Sequence, residues 1–341
     1  MTRPRTLRRV LVAGPAFRPW DLGVYVERAL SRHRVPSARL PLADHPDAAS
    51  KGEALVRAVR RSGADAVVGL KLEGVPAEAV REVRRGGVRV LLWQVDCFTG
   101  RAPRWIVPLV GSVDVVAVTG RGLVEVYSRL GPASVHWVPE GVYLPAFPPV
   151  TLTPGARRLF GSDVAFVGGL RQPPVANRAL AGRRVRLLDR LGRHLDVKVW
   201  GPQPAPALRD ASRRSFTTMI WPAYHRDLVR ICNASAIVLG VNTINTVHQY
   251  FSNRTFLTLA CGGFHVTHYV PGLEELFDNH EHLVWFEDDE ECLDVCRHYL
   301  PRARRRRRIA ERGRRLVRRR WSLVRQVGQI LDLVEDRTNG S

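Results

Sequence analysis

Residues 252–267, with the sequence SNRTFLTLACGGFHVT, decide the fold of this chain. They predict a short helix with a polar start, a stop at Gly262-Gly263 and an immediate buried strand. Arg254 falls in the first turn of that helix, where free backbone N–H groups and the helix dipole favour an anion. The stretch therefore predicts a phosphate-binding device inside an α/β unit.

The sequence on either side of this stretch repeats one theme. Short, nearly continuous apolar runs alternate with helical patterns over residues 1–145 and again over residues 163–300. Continuous rather than alternating hydrophobicity is typical of a parallel sheet that is covered on both faces. A Pro- and Gly-rich segment, 146–162, separates the halves and is predicted to be a hinge. We therefore expect an α/β protein with two Rossmann-like domains, followed over residues 301–341 by a long Arg-rich helix, continuous to about residue 334, and a tail.

Length and composition agree with a globular protein of two domains. The chain has 341 residues, more than one hydrophobic core usually holds, with 45% hydrophobic and 25% charged residues. No apolar run is long enough to span a membrane and the N-terminus has no secretory pattern, so we expect a cytoplasmic protein. The five cysteines have no framework or C-x-x-C spacing, which favours reduced core thiols over disulfides or a metal site.

The basic residues are unevenly distributed. The net charge of +21 comes from 53 basic and 32 acidic residues, and all but three of the basic residues are arginine, which indicates a coding bias. Thirteen arginines but only one acidic residue, Glu311, lie between Arg302 and Arg325. This block favours peripheral contact with the anionic inner face of a membrane, although solvated helix faces often carry such runs. No motif for specific nucleic-acid recognition is present.

Two predicted strand ends carry groups that suit a phosphate. Open parallel sheets bind ligands at the carboxyl ends of their strands. One such end reads Gly168-Gly169-Leu170-Arg171, in which the glycines allow close backbone approach, and the other leads to Asn253-Arg254. Taken singly, either arginine could simply pair with a carboxylate. Taken together, two cations and two sets of backbone amides suit a diphosphate leaving group, on which negative charge grows as a sugar bond breaks.

Short motifs along most of the chain resemble those of one enzyme family. They are Ser252-x-Arg254-x-Phe256, Leu283-Val284-Trp285-Phe286, Trp137-Val138-Pro139-Glu140-Gly141-Val142 and Val90-Leu91-Leu92-Trp93-Gln94-Val95-Asp96. On these motifs, residues from about 162 to 331 resemble the C-terminal domain of GT-B glycosyltransferases. The whole chain resembles the spore-maturation-protein CgeB-like group of the glycosyl transferases group 1 type.

The resemblance implies a GT-B fold with an inter-domain cleft and the transfer of a sugar from a nucleotide-diphosphate sugar. That sugar nucleotide would be a co-substrate, with no other cofactor and no metal. The donor would bind on residues 160–300, and an acceptor of unknown kind, whether glycan, protein, lipid or small molecule, on residues 1–150. Arg171 and Arg254 would stabilise the leaving diphosphate.

The remaining predicted site residues surround these arginines. Gly168, Gly169, Ser252 and Asn253 are expected to contact the donor phosphates through backbone and polar groups, and His248 and Tyr250 the donor sugar. An inverting transfer needs a general base, for which the strand-end carboxylate Asp96 is the candidate. Asp96 is equally consistent with an ordinary turn residue. The acidic run 287–291 fits compensation of a helix dipole better than a metal site.

Two departures from the family pattern leave other functions open. Leu257 stands where such enzymes often carry a carboxylate for the donor ribose, and leucine cannot accept a hydrogen bond. Tyr143 likewise stands where an aspartate usually follows Gly-Val. A non-catalytic GT-B-like binding or scaffold protein is therefore the main alternative. A nucleotide-sugar epimerase and a polyanion binder are further alternatives.

Overall fold

The computed structural model describes residues 6–97, 103–131, 133–170, 182–201, 214–219, 223–242 and 244–335. The chain forms two compact units. The first contains Met1–Tyr143 and Leu323–Ser341, and the second contains Leu144–Ser322. Within the described residues, no helix has the combined length and apolar composition that crossing a bilayer requires.

The first unit is built on a parallel sheet of six strands. The strands are β1 (Val10–Gly14), β2 (Ser37–Pro41), β3 (Ala66–Leu70), β4 (Arg89–Gln94), β5 (Val115–Val118) and β6 (Ser134–Trp137). They lie in the order β2-β1-β3-β4-β5-β6, and every neighbouring pair is parallel. The helices between them are α1 (Leu22–Arg32), α2 (Ala48–Ser62), α3 (Ala77–Arg85), α4 (Ile106–Val110) and α5 (Leu123–Ser128). Strands β1 and β3 are buried at every position, as their continuous hydrophobicity predicts.

The second unit repeats this plan. Its strands are β7 (Val164–Val167), β8 (Val197–Trp200), β9 (Thr217–Met219), β10 (Ile237–Gly240), β11 (His265–His268) and β12 (Val284–Phe286). They lie in the order β12-β11-β10-β7-β8-β9, again all parallel. Its helices include α6 (Pro154–Phe160), α7 (Arg183–Gly192), α8 (His225–Ala234), α9 (Arg254–Ala260), α10 (Asp289–Tyr299) and α11 (Ala303–Arg320). The predicted α/β class with two Rossmann-like halves is confirmed.

The predicted hinge contains a helix. Thr153 accepts the backbone N–H of Ala156 at 3.2 Å, and Pro154 occupies the first turn of α6. Proline is well tolerated there because the N–H that it lacks has no partner inside a helix start. Phe160 at the end of α6 stacks on Trp200 at 5.4 Å, so residues 154–160 are part of the second unit rather than a linker.

The helix predicted to run from residue 301 to about 334 is divided in two. Helix α11 ends at Arg320, and α12 (Leu323–Glu335) begins two residues after Trp321, whose backbone leaves the helical region at φ −122° and ψ 37°. The Trp321 ring lies 5.3 Å from Phe256 in the second unit, whereas Val324 accepts a hydrogen bond from His33 in the first. Apolar periodicity continues across the break, so the sequence pattern does not reveal it.

Candidate phosphate-binding site

The site lies where the strand order of the second sheet reverses, between β7 and β10. Chain connections leave these two strands in opposite directions, so the loops after them diverge and leave a crevice at the carboxyl edge. Gly168 and Gly169 follow β7, and Val241 follows β10. Gly168 has φ +154°, a value that residues with a Cβ rarely adopt, and its N–H donates to the carbonyl of Trp200 at 2.7 Å.

Arg184 joins the two diverging loops. Its Nη1 donates to the carbonyl of Gly169 at 2.6 Å and its Nη2 donates to the carbonyl of Val241 at 3.0 Å. The side chain is buried, and its guanidinium lies 5.2 Å from the ring centroid of Phe166. Because one rigid, planar group holds both carbonyls, Arg184 fixes the width of the crevice. Nothing in the sequence pattern distinguishes Arg184 from the other forty-nine arginines.

Arg254 reaches the same point from the start of α9. A Cβ placed on Gly168 would lie 3.1 Å from both Cζ and Nη1 of the Arg254 guanidinium, so this group rests directly on the glycine. The predicted helix and the strand after it are both confirmed, as α9 and β11. The structure brings Arg254 against Gly168, which Gly169 follows in the chain, whereas Arg171 lies outside the described residues.

The two guanidinium groups create a region of positive potential. Burial, and then the charge of Arg254, lower the pKa of Arg184 to about 10, so Arg184 is still protonated at neutral pH. Like charges held this close repel each other, and an anion in the crevice relieves that repulsion. The arrangement can therefore bind a phosphate group and stabilise negative charge that develops on it.

Buried His265 supports the start of α9. Its Nδ1 lies 2.9 Å from the carbonyl of Val238, which can only accept, so Nδ1 carries the proton. Its Nε2 then accepts the hydroxyl of Thr255 at 3.2 Å. Burial lowers the pKa of His265 to about 4 with the help of the Arg254 charge and against the raising effect of the Val238 hydrogen bond, so the ring is neutral at pH 7. His265 thereby anchors the residue that follows Arg254.

Stability of the protein should depend on the neutral state of His265. Its pKa is lower in the folded chain than the usual 6.5, so the unfolded chain binds more protons between those values and the folded state weakens on acidification. From pH 7 to pH 5 we expect this group to remove about 2 kcal/mol of unfolding free energy. Chemical denaturation of wild type and His265→Gln should therefore give stabilities that converge by that amount at pH 5. Exposed His194→Gln is the control, and an unchanged difference would contradict the assignment.

Three of the predicted site residues, Tyr250, Ser252 and Asn253, lie in the loop between β10 and α9. Asn242 accepts the backbone N–H of Ser252 at 3.0 Å, and the Ser252 hydroxyl accepts that of Arg254 at 3.4 Å. Asn253 precedes α9 without capping it through its side chain. Tyr250 is half-buried in the same loop. Ser252 therefore acts on Arg254 by orienting the helix start, which is a supporting role.

His248 belongs to a second polar cluster in this loop. Its Nε2 lies 3.1 Å from the Glu275 carboxylate, and a Cβ on Gly272 would collide with its ring at 2.4 Å. The neighbouring Gln249 is buried, has φ +51° and donates to Glu275 at 2.7 Å. A buried polar residue with a strained backbone is often found at functional sites, so Gln249 is a further candidate in this loop. The sequence did not predict a role for Gln249 or Glu275.

The roles of Asp96 and Leu257 could not be decided from the sequence. Asp96 lies in the first unit, just beyond β4, where it forms an ion pair with Lys71 and is more than half exposed. Leu257 is half-buried in α9, one turn after Arg254. The acidic run begins α10, where Asp288 accepts the N–H groups of Glu290 and Glu291 at 2.9 Å, as dipole compensation predicts. Among the described residues there is no cluster of three or more metal-ligating side chains.

Part of the chain is similar to a known family. Residues 183–332 match the family model described as glycosyl transferase-like, and the match includes Arg184, Arg254 and His265. No curated protein matches the chain. The match covers 150 of the 341 residues, so it shows similarity to this family over that part of the chain.

Solved structures define the class of fold. HepE from Anabaena, in complex with UDP and glucose, superposes with a TM-score of 0.68 at 11% identity, over 96% of this chain and 100% of that chain. A sucrose-phosphate synthase from Thermosynechococcus elongatus gives 0.68 at 15% identity, over 98% of this chain and 100% of that chain. A glycosyltransferase from Rickettsia africae gives 0.67 at 12% identity, over 98% and 100%. At these identities the likeness establishes the GT-B fold alone.

Proposed function

We propose that the protein is a glycosyltransferase that takes its sugar from a nucleotide-diphosphate donor and transfers it to an acceptor hydroxyl or amine. The observation that carries the proposal is the guanidinium of Arg254 resting on Gly168, beside the buried cation Arg184, at the strand-order reversal. The glycosyl transferase-like match and the UDP complex of the similar HepE support a uridine nucleotide as the first donor to test. Membership of the CgeB-like group is part of the same proposal.

The proposed reaction moves charge toward this crevice. The bond between the anomeric carbon and the β-phosphate oxygen breaks, a bond from that carbon to the acceptor forms, and the acceptor proton passes to a base. The leaving nucleoside diphosphate gains negative charge, which Arg254 stabilises by donated hydrogen bonds and Arg184 by its nearby positive charge. Arg171 and Asp96 stay candidates for a second phosphate ligand and for the base. His248 and Tyr250 stay candidates for contact with the donor sugar. The reaction is proposed to need no metal.

A non-catalytic binding protein is the second candidate. It is favoured by Leu257, an apolar side chain at the place where a donor-binding carboxylate is expected, and by the ion pair between Asp96 and Lys71, which occupies the candidate base. Such a protein would bind nucleotide in the crevice without transferring sugar.

A panel of nucleotide-diphosphate sugars tests the proposal. For each donor, the melting temperature and the release of nucleoside diphosphate are measured with and without a chelator, and nucleoside monophosphates serve as controls. A transferase is expected to be stabilised by at least one nucleotide-diphosphate sugar. It should release the nucleoside diphosphate slowly when water accepts the sugar and faster when a suitable acceptor is present. Stabilisation without turnover on any donor would support the binding protein, and no stabilisation at millimolar concentration would reject both.

A further inference from the structure

We propose that the outward face of α11 docks on an anionic lipid bilayer. The helix contains eleven arginines and one glutamate, which is a net charge of +10 in a chain whose total is +21. The proposal concerns attachment and does not depend on the reaction proposed above.

Packing divides α11 into an inner and an outer face. Ile309, Ala310, Gly313, Leu316 and Val317 are buried against the second unit, and a Cβ on Gly313 would lie 2.2 Å from a backbone carbonyl oxygen. Because a helix turns by about 100° per residue, the residues opposite this stripe share one face. All of them are exposed: Arg304, Arg307, Arg308, Arg315, Arg318 and Arg319, with Glu311 among them. We call these six arginines the outer face, and they span roughly 20 Å along the helix.

The inner arginines have partners within the protein. Arg306 donates to the carbonyls of Tyr299 and Leu300, Arg312 pairs with Glu281, and the Arg305 guanidinium lies 5.6 Å from the ring centroid of Tyr299. Arg306 and Arg312 are half-buried, and all three side chains make contacts within the protein. Arg325 lies on α12 in the first unit and does not belong to the face either.

The outer face carries charge that the described part of the chain does not neutralise. Of its six arginines, only Arg315 has a carboxylate within reach there, Glu311 at 3.5 Å. The pairs Arg304–Arg308 and Arg315–Arg319 are four residues apart, a spacing at which like charges on a helix repel. Folding therefore holds together charges that repel each other, and an anionic surface would relieve the repulsion.

The chemistry of the face favours a bilayer over a nucleic acid. Proteins that hold single strands stack bases on exposed aromatic rings, but the aromatic residues nearest this helix, Tyr299 and Trp321, are buried. Arginine reads guanine edges, but the amide and hydroxyl side chains that read the other bases are absent from the residues of the outer face. A straight row of guanidinium groups fits the flat plane of acidic headgroups, and the lack of apolar side chains predicts adsorption without insertion.

Sedimentation with vesicles tests the proposal. Full-length protein is mixed at low salt with vesicles of phosphatidylcholine and phosphatidylserine, two to one, or of phosphatidylcholine alone. We expect binding only to the acidic vesicles and its loss at 0.5 M salt, since screening removes the attraction. Each arginine near such a surface contributes about fivefold to partitioning, so the triple change Arg304→Gln, Arg307→Gln, Arg308→Gln should weaken binding by about 100-fold.

Matched variants make the result decisive. A second triple change on the same face, Arg315→Gln, Arg318→Gln, Arg319→Gln, should weaken binding similarly and guards against a folding defect in the first. Arg57→Gln, Arg60→Gln, Arg61→Gln on α2 removes the same charge elsewhere and should have little effect. Equal losses in the α2 and α11 variants would overturn the proposal, as would tighter binding of a 30-base-pair DNA duplex than of acidic vesicles at the same salt.

Discussion

Replacement of Arg254 by alanine is expected to abolish measurable stabilisation by nucleoside diphosphates and to lower sugar transfer by about 100- to 1,000-fold. A charge-assisted hydrogen bond to a bound anion contributes about 1.5–3 kcal/mol, which corresponds to roughly 10- to 100-fold in affinity. A preorganised donor aimed at developing charge contributes as much again to the rate. Arg254→Lys keeps the charge but loses the planar pair of donors, so it should lie between the wild type and alanine.

The same variant has a readout that needs no nucleotide. The charge of Arg254 contributes to the low pKa values of Arg184 and His265, so its removal should raise the pKa of His265 measured by NMR. Exposed Arg193→Ala in the same unit is the control for loss of one positive charge. If the pKa of His265 rises but nucleotide binding is unchanged, Arg254 lies close to His265 as described, but its proposed role in binding phosphate is rejected.

Replacement of Gly168 by alanine should produce nearly the same binding defect from the opposite side of the crevice. The new methyl group would lie 3.1 Å from Cζ and Nη1 of Arg254 and 3.3 Å from the Phe166 ring, so the guanidinium must move away. The backbone at φ +154° adds strain of about 1–3 kcal/mol in a residue that carries a Cβ. We expect at least a tenfold loss of nucleotide affinity, together with a lower melting temperature.

A second glycine separates these effects. A Cβ on Gly155 in α6 would meet no atom within 4 Å, so Gly155→Ala should leave both affinity and stability nearly unchanged. Titration of nucleotide by calorimetry and thermal unfolding of both variants give the comparison. Normal affinity in Gly168→Ala would mean that the phosphate does not bind where Arg254 meets Gly168.

The strands were the part of this protein most accessible to sequence reasoning. Runs such as residues 66–70 are buried on both faces, so their composition alone records their environment. The helix that begins at Arg254 was also predictable, because the glycines and the apolar run that follow this helix mark its end locally. Within α6, by contrast, Pro154 was interpreted as part of a linker, although it fills the first turn of a helix.

Sites built by long-range contacts were less accessible. His265, Thr267 and His268 are polar residues in a short buried strand, a signal that could have been noticed, but the partners of His265, Val238 and Thr255, come from elsewhere in the chain. The outward and inward arginines of α11 differ only in what the remainder of the second unit packs against. Periodicity gives the direction of each side chain around the helix axis. It does not show which carbonyl or carboxylate that side chain contacts in the folded protein.

The sequence by itself determined that this chain alternates strands and helices twice, and that glycines and a cation follow the strands of the second half. These are local properties, since burial and capping select residue types position by position. Only the tertiary structure decided which of fifty arginines matter, because Arg184 and Arg254 are seventy positions apart and meet only when β7 and β10 lie side by side. It likewise ended α11 at Arg320, just before Trp321, whose packing on Phe256 outweighs the continuing helical pattern.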